Sequence, residues 1–452
     1  MAKFLTRHLL PVQPITPSHI ILMNGCTTAI EHTARCFTDA GEYMLLGRPY
    51  YTAFLDDATL RTGTKLAEVS FGDSDPVGED CVAQYEKKLL EIQASGGRVS
   101  ALMLCHPHNP LGRCYPRKAL VDFMKLCQKY QIHLISDEIY ALSIFKNDVD
   151  SHPAATPFES ILSIDPTGLI DPALIHVLWG MSKDFGANGI RLGAIISQNN
   201  QAFHNSMQPV GIFGSLSSLT EHVTMNVLGD DEFVEGYIKE NQRMLGERYE
   251  YMAKWCVQNG IEYAPGANAG FFIWLNLGKK YLESHPDTKD LDQESWDAFI
   301  KARVFLAAGF RFGGEVPGCQ LLRQVQLVAL RLRTKRSLLL STSTIVQITN
   351  TILCIKLDAN LVTKTSSAAI QTTGLDARHV RHDLELGVQR RTAVSAEEML
   401  VDFTRVANGV PSLGRALCDL ERSAGDNSIG RECSSGPLHT ASVHGYYLFF
   451  NM

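Results

Sequence analysis

The chain has 452 residues, and its 42 Lys and Arg residues against 48 Asp and Glu residues give a formal net charge of −6. This charge excludes a protein that binds nucleic acid through a strongly basic surface. With 45% hydrophobic and 20% charged residues, the composition is that of a globular chain with a large core, and it excludes disorder over the whole length. The length predicts two or three domains, or one large α/β unit with a smaller lobe, and we expect the second arrangement.

The eleven cysteines form no CxxC pair, so neither a disulfide framework nor a zinc ribbon is expected, and no metal site stands out. No secretory hydrophobic segment follows Met1, and we expect a cytoplasmic protein. The candidate membrane span Leu338–Leu357 contains eight Ser, Thr, Asn or Gln residues and the charged Lys356. Such groups are costly in hydrocarbon, so we expect no membrane contact.

Apolar segments of strand length alternate with amphipathic segments of helix length from about residue 19 to 200, which is typical of an α/β fold. The predicted strands are His19–Met23, Tyr43–Leu46, Lys65–Val69, Ala101–Cys105, His133–Ser136, Ile175–Trp179 and Leu192–Ser197. The predicted helices between them are Thr27–Ala40, Asp80–Ala94 and Arg117–Tyr130. A second lobe is predicted from a helix at Glu232–Asn259, a strand at Phe271–Leu275 and a helix at Gln293–Ala308. Because open α/β sheets bind ligands beyond the carboxyl ends of their strands, the functional residues are expected in those loops.

The loops after three predicted strands carry side chains with distinctive chemistry. A proline-bounded turn presents the Asn109 amide, Asp137 follows the next strand with Tyr140 three residues later, and Lys183 follows a third strand with Arg191 eight positions on. Each of these residues alone is commonly a turn, a helix cap or a solvated charge. Their order and their placement at strand ends favour a single site.

This set matches what a pyridoxal 5'-phosphate (PLP) site requires: a lysine that forms an imine, a carboxylate for the pyridine nitrogen, donors for the ring oxygen and an arginine for the phosphate. The sequence resembles the class I/II aminotransferases of fold type I, especially the subgroup related to 1-aminocyclopropane-1-carboxylate synthase. The segments that carry the resemblance are NGCTTAIE at 24–31, GRPYY at 47–51, HPHNPLG at 106–112, SDEIYALSIF at 136–145, VLWGMSKDFGANGIRLG at 177–193 and AGFFIWLNL at 269–277.

The resemblance implies a large, mainly parallel sheet domain with helices on both faces and a smaller, incomplete α/β domain. It also implies roles for the loop residues. Lys183 would form the internal aldimine with PLP and shuttle the α-proton, Asp137 would pair with the pyridinium nitrogen, and Asn109 and Tyr140 would hold the ring oxygen.

The phosphate would be held by Ser182, Arg191 and the backbone N–H groups of Cys26 and Thr27 at a helix start. Tyr51 would stack on the ring, and Tyr50 is the less suitable candidate. Two structural interpretations stay open. Cys26 and Thr27 could form a simple helix cap instead of a phosphate site, and the two tyrosines could be core residues. The residue three positions before the lysine is often Ser in the family, but it is Gly180 here. This chain therefore lacks one side-chain hydroxyl that could bind the phosphate.

The sequence departs from the family pattern near both ends. We expect the N-terminal arm of the family to be missing, together with its contribution to the substrate pocket. After Glu315-Val316-Pro317-Gly318 the family continues as Trp-Phe-Arg, whose arginine grips the substrate carboxylate, but this chain has Cys319-Gln320-Leu321 with Arg323 two places late. We therefore assign 1–225 to the large domain, 226–318 to an interdomain helix and the small domain, and 319–452 to a divergent, poorly packed tail in which 383–405 resembles a remnant of the small domain.

The predicted function is that of a PLP-dependent aminotransferase acting on an amino acid and a 2-oxo acid. The alternatives are a PLP-dependent lyase, either 1-aminocyclopropane-1-carboxylate synthase-like or a carbon–sulfur lyase, and a catalytically impaired PLP-binding remnant. The family implies a homodimer, and the departures at both ends count against a dimer of this chain.

Overall fold

A computed structural model of the chain describes residues 1–302 and 304–323. Its main feature is a sheet of seven strands in the order β1-β7-β6-β5-β4-β2-β3. The strands are β1 (Ile20–Asn24), β2 (Tyr43–Gly47), β3 (Lys65–Val69), β4 (Val99–Cys105), β5 (His133–Asp137), β6 (Ile175–Gly180) and β7 (Leu192–Ile196). All seven were predicted, with ends that differ by at most two residues.

The strands from β3 to β6 pair in parallel, whereas β7 is antiparallel to both β6 and β1. Every residue of β4 and β6 is buried, as expected where helices cover both faces of a parallel sheet. Because β4, β5 and β6 are parallel, their carboxyl ends lie at the same edge of the sheet. The loops that carry the predicted site residues begin at this edge.

Eleven α-helices lie in the part of the chain that the structure describes. They are α1 (Ala2–Leu9), α2 (Cys26–Phe37), α3 (Phe54–Thr59), α4 (Val82–Ala94), α5 (Arg117–Tyr130), α6 (Met181–Asp184), α7 (Gln201–Gly211), α8 (Ser218–Gly229), α9 (Asp231–Gln258), α10 (Gly278–Ser284) and α11 (Leu291–Lys301). The Asp230 side chain caps α9 by accepting a hydrogen bond from Phe233 N at 3.0 Å. Helices α7 and α8 were not predicted; α7 contains Pro209, a residue that usually breaks a helix.

The short helix α1 is anchored to the rest of the fold at two points. The Phe4 ring lies 5.2 Å from the Trp179 ring and 5.9 Å from the Phe185 ring, measured between centroids. On its polar side, the Arg7 guanidinium forms ion pairs with Asp231 at 2.8 Å and with Glu235 at 3.1 Å. Helix α1 thus packs against the aromatic side chains that flank the segment 180–184.

A second, antiparallel sheet has the order β10-β11-β9-β8. Its strands are β8 (Glu262–Tyr263), β9 (Phe272–Asn276), β10 (Ala307–Ala308) and β11 (Cys319–Arg323). The predicted helix Gln293–Ala308 was wrong at its carboxyl end, because α11 ends at Lys301 and Ala307–Ala308 pair with β11. Strand β11 begins one residue after the predicted boundary at Gly318, so it extends this sheet into the segment assigned to the tail.

Residues 324–452 lie outside the described residues, and with them the candidate span Leu338–Leu357 and the predicted remnant at 383–405. Over the residues that are described, no helix is long and apolar enough to cross a membrane. The same residues contain no cluster of His, Cys, Asp and Glu side chains that could hold a metal ion.

Candidate active site

A pocket opens at the carboxyl ends of β4, β5 and β6, beside the first turn of α2. It contains about 610 Å³ of space free of protein atoms, including the part open to solvent. All nine predicted site residues line it: Cys26, Thr27, Tyr51, Asn109, Asp137, Tyr140, Ser182, Lys183 and Arg191.

Asp137 ends β5 and is only 4% exposed. Its Oδ1 accepts a hydrogen bond from Ile139 N at 3.3 Å. Burial raises the pKa of this carboxyl to about 7, and the charge of Asp57 adds to the increase, while the Ile139 N–H and the Lys183 ammonium oppose it. A cation brought against Asp137 would lower this pKa and stabilise the carboxylate.

Lys183 reaches the pocket from α6, directly after β6. Its Nζ lies 5.9 Å from the centroid of the Tyr51 ring and 6.0 Å from that of Phe271. The ammonium therefore lies near two aromatic rings, and its charge acts to lower the pKa of Asp137.

The residue after the lysine, Asp184, holds the backbone of this segment in place. Its carboxylate accepts hydrogen bonds from Leu142 N at 3.1 Å, Ser143 Oγ at 2.7 Å and Trp179 Nε1 at 3.0 Å. These bonds join the end of β6 to the turn that follows Tyr140. Two segments that carry predicted site residues are thereby fixed to each other.

Asn109 and Tyr140 meet in the pocket, with Asn109 Nδ2 donating to the Tyr140 hydroxyl at 3.1 Å. Asn109 Oδ1 is buried, and none of the described residues forms a hydrogen bond with it. The turn that presents Asn109 is held by His106, whose Nε2 is 2.9 Å from the Glu159 carbonyl oxygen. Burial lowers the pKa of His106 to about 4, so this ring is neutral at pH 7 and shapes the turn.

The first turn of α2 and Arg191 form a cradle for an anion. Gly25 precedes α2 with a φ of 82°, and a Cβ at this position would lie 2.2 Å from Arg191 Nη2. The guanidinium thus rests on the bare backbone that leads into the helix, while Arg191 Nη1 donates to the Asn188 carbonyl at 2.8 Å. A cation and the free N–H groups of a helix start are the partners that a phosphate requires.

Three glycines, which we call the glycine cluster, allow the strands around the cradle to approach closely. Besides Gly25, a Cβ at Gly193 would lie 2.4 Å from the carbonyl carbon of Gly25, and a Cβ at Gly180 would lie 2.6 Å from the Leu192 oxygen. The Gly180 position also faces the Cys26 sulfur, which would be 2.9 Å from a Cβ. A serine therefore has no room here, which explains the departure from the family pattern.

The structure separates the two neighbouring tyrosines. Tyr51 lines the pocket, whereas Tyr50 is buried elsewhere and its N–H donates to the Phe312 carbonyl at 2.8 Å. The choice of Tyr51 over Tyr50 agrees with this placement.

Five further residues line the pocket and were not predicted. They are Ile30, Asp57, Cys105, Ile139 and Asn188. The last residue of β4 is Cys105, so the strand-end rule applied to every strand would have found it. The strand-end rule could not have found Asp57, because this residue lies on the short helix α3, which was not predicted.

The pocket fits PLP on three observations. Asn109 Oδ1 is a buried polar atom without a partner among the described residues, and the glycine cluster leaves a cationic cradle. The buried Asp137 carboxyl, whose pKa burial raises, is a group that a cationic ring nitrogen would stabilise as a carboxylate. An aromatic phosphate ester with a basic ring nitrogen complements this donor set.

Comparison with known proteins shows the family of this chain. The sequence profile of the family described as Aminotransferase class I and II matches residues 1–320. The chain belongs to this family. It is 33% identical over 322 residues to a 1-aminocyclopropane-1-carboxylate synthase of Vigna radiata var. radiata, which covers 70% of this chain and 84% of that protein.

The chain is also similar to two mouse proteins. It is 31% identical to 1-aminocyclopropane-1-carboxylate synthase-like protein 1 of Mus musculus, over 70% of this chain and 62% of that one. It is 30% identical to the probable inactive synthase-like protein 2 of the same species, over 70% and 53%. The chain therefore spans less than two thirds of these relatives. The predicted resemblance is confirmed.

Solved structures support the fold. A double mutant of Thermus thermophilus aspartate aminotransferase superposes with a TM-score of 0.58 at 19% identity, covering 75% of this chain and 80% of that chain. The aromatic aminotransferase of Pyrococcus horikoshii OT3 gives the same TM-score at 19% identity, over 72% and 78%. The predicted fold type I is therefore confirmed.

Proposed function

We propose that this chain is a PLP-dependent enzyme that removes the α-proton of an amino acid, with transamination to a 2-oxo acid as the outcome. The observation that carries the proposal is the meeting of Lys183, Asp137 and Arg191 in one pocket at the strand ends. Bound there, PLP supplies an electron-withdrawing ring that stabilises the charge left on the substrate carbon.

The residues of the pocket have separate roles in the proposed reaction. With PLP bound, Asp137 would keep a proton on the ring nitrogen, Arg191 and the first turn of α2 would bind the phosphate, and Tyr51 would pack on the ring. Lys183 Nζ would accept the proton from the substrate α-carbon and carry it away from that carbon. The hydrogen bonds of Asp184 keep the lysine segment and the Tyr140 turn at a fixed separation during this transfer.

The test is chemical labelling. Borohydride reduction of the chain with PLP, followed by peptide mapping, should place a reduced pyridoxyl group on Lys183. The exposed Lys146, which pairs with Asp148, serves as the internal control and should stay unmodified. Label on another lysine, or no label with PLP in excess, would overturn the proposal.

Elimination chemistry is the second candidate, favoured by the similarity to the 1-aminocyclopropane-1-carboxylate synthase of Vigna radiata var. radiata. Both outcomes begin with the same proton removal. A panel of amino acids with and without a γ leaving group separates them: transamination yields a 2-oxo acid in the presence of an amino acceptor, whereas elimination releases the leaving group without one.

The third candidate is an impaired PLP-binding remnant. Leu321, at the third position of the Trp-Phe-Arg pattern, is buried in the apolar cluster that includes Tyr140 and Phe272. A substrate carboxylate would lack its fork there, an interaction worth about 1.5–3 kcal/mol. Turnover should therefore rise when Trp-Phe-Arg replaces residues 319–321, and equal turnover of both proteins would contradict this interpretation.

We further propose a homodimer in the cytoplasm. Three large apolar side chains between the end of α7 and the first turn of α8 are exposed, namely Ile212 at 70%, Phe213 at 89% and Leu219 at 73%, and together we call them the 212–219 patch. Such a patch is typical of a protein interface. The eight cysteines of the described residues are all free thiols, which is the state that a reducing cytoplasm maintains.

A further inference from the structure

A carboxylate lies inside the cradle that the proposed function assigns to phosphate. Asp57 belongs to α3, which packs against α2, and it lines the pocket together with Thr27 and Arg191. The proposed mechanism gives this residue no task. An acidic side chain beside a phosphate site needs an explanation, because like charges at close range repel strongly where water is partly excluded.

The Asp57 carboxyl is poorly satisfied by the protein. Its Oδ2 is buried and has no hydrogen-bond partner in the part of the chain that the structure describes. Burial raises the pKa of this carboxyl to about 6, and Asp56 on the same helix adds to the increase, whereas the Thr27 hydroxyl and the Arg191 guanidinium oppose it. Asp137 at the end of β5 is the other acidic group of the pocket that interacts with Asp57.

The two protonation states of Asp57 have opposite effects on an anion. As a carboxylate, it accepts hydrogen bonds only and competes with a phosphate for Arg191. As a carboxylic acid, it offers an O–H that can donate to a phosphate oxygen, and such a bond to a charged acceptor is strong. Protonation therefore converts the buried Oδ2 from a repelling group to a ligand.

We propose that Asp57 determines anion binding in the cradle by taking up one proton from solvent when a phosphate monoester binds and donating it in a hydrogen bond to a phosphate oxygen. No covalent bond forms or breaks with the ligand, and the only species transferred is this proton. The inference deepens the proposed function and rests on it, since the same cradle receives the phosphate of the cofactor.

Proton uptake is measured by titration calorimetry with sulfate as the probe, in buffers of different ionisation enthalpy. Sulfate is a tetrahedral dianion from pH 5 to pH 8, so the ligand itself contributes no proton. For the wild-type chain, uptake should be near zero at pH 5 and close to one proton at pH 7.5. Asp57→Asn should lose this uptake, and Asp137→Asn, which removes the second titrating carboxyl, should retain it.

Either variant is decisive alone, should the other fail to fold. Uptake that persists in Asp57→Asn, or that disappears in Asp137→Asn, would assign the proton to Asp137 and overturn the inference. Binding of sulfate to the wild-type chain without proton uptake at pH 7.5 would overturn it as well.

The affinity for PLP provides a second readout, taken from absorbance titrations. The ratio of affinities of Asp57→Asn and wild type should be near one at pH 5 and should rise above pH 6 to about tenfold or more at pH 8, since each pK unit changes binding tenfold. Asp56→Asn is the matched control, because Asp56 is exposed and does not line the pocket, and its ratio should stay near one.

The outcomes separate the two proposals. A ratio that is independent of pH, together with a reduced pyridoxyl label on Lys183 of the wild-type chain, overturns the role of Asp57 alone. Weaker PLP binding by Asp57→Asn at every pH would mean that Asp57 acts by holding Arg191 in position. This result would also overturn the proposed proton uptake by Asp57. Absence of the Lys183 label overturns the proposed function.

Discussion

The proposed role of Asp137 is to keep a proton on the ring nitrogen of PLP. Replacing this residue tests that role directly. Asp137→Asn keeps the size of the side chain and removes the charge that retains a proton on the ring nitrogen. We expect the variant to bind PLP and to lose at least about 100-fold in turnover, the order of effect found when one electrostatic group of an active site is removed. Steady-state kinetics with saturating PLP measures this.

The exposed carboxylate of Asp148, which pairs with Lys146, provides the matched control for the same substitution. Asp148→Asn should turn over at the wild-type rate. Undiminished turnover of Asp137→Asn would mean that the carboxylate at the end of β5 is only structural.

The raised pKa of Asp137 also predicts a pH dependence of stability for the chain without ligand. Because the folded pKa of about 7 exceeds the ordinary value of 3.8, the folded state holds this proton more tightly than the unfolded state. The stabilisation is complete below about pH 4 and is lost as the pH rises to about 7. A shift of about three pK units corresponds to roughly 4 kcal/mol at most.

Asp137→Asn removes this titration, so its stability relative to the wild type should increase between pH 4 and pH 7 and stay constant above that. Urea unfolding at pH 4.5, 6 and 8 measures the difference. A difference that does not change with pH would show that the carboxylate is satisfied in the folded state.

At the scale of structural elements, the bonds of Asp184 connect the end of β6 to the turn after Tyr140. Asp184→Ala leaves the N–H of Leu142, the hydroxyl of Ser143 and the indole N–H of Trp179 without their acceptor. Because each buried donor left unpaired costs about 1–3 kcal/mol, we expect a loss of at least about 3 kcal/mol in the free energy of unfolding. Urea unfolding at pH 8 measures it.

Ser143→Ala is the partial control, since it removes one donor together with its need for an acceptor. It should cost about 1 kcal/mol, and the double variant should cost less than the sum of the two. Additive effects would mean that Asp184 and Ser143 do not act through their shared bond.

Strand β11 contains a buried amide side chain that lowers stability. Gln320 pairs with Leu275 and Ala308 in the sheet, is fully buried, and neither of its amide side-chain atoms has a hydrogen-bond partner among the described residues. Gln320→Met has a similar shape and no amide, so it should raise the free energy of unfolding by about 1–3 kcal/mol. Thermal unfolding measures the gain, and an unchanged or lower melting temperature would contradict it.

The long elements of the fold could be predicted because their sequence patterns are local. Helix α5 was predicted residue for residue, since its apolar spacing lies between Pro116 and the turn at Gln131. The end of α11 was missed because Ala307–Ala308 are held as a strand by pairing with β11, a distant segment. Pairing of this kind is set by tertiary structure and leaves no local pattern.

The site residues were predictable for a different reason. Lys183, Asp137 and Asn109 follow strands whose carboxyl ends share one sheet edge, so chain order alone brings them together. Asp57 could not be found in this way, because it reaches the pocket from a helix of six residues without a distinctive pattern. Its effect depends on burial, which no motif reports.

At the scale of the whole molecule, the 212–219 patch predicts how the chain assembles. Phe213→Asp places a charge at its most exposed apolar side chain, which should weaken self-association at least about tenfold, because a buried unpaired charge is costly. Sedimentation equilibrium measures the dissociation constant. Val257→Asp, at a position that is 66% exposed on α9, is the control and should associate like the wild type.

If Phe213→Asp and the wild type sediment alike, the patch is not the interface. If the wild-type chain is a monomer at all concentrations, the proposed homodimer is wrong for this chain.

The glycine cluster limits how the pocket can be altered by protein engineering. At Gly180 and Gly193 a Cβ would collide with backbone, and at Gly25 the φ of 82° strains any side chain, which would also displace the Arg191 guanidinium. A mutant library that varies them would consist mainly of misfolded clones, and alanine scanning would misreport them as catalytic. Variants with new substrate preferences should instead come from lining positions whose side chains already differ in size, such as Ile30 and Asn188.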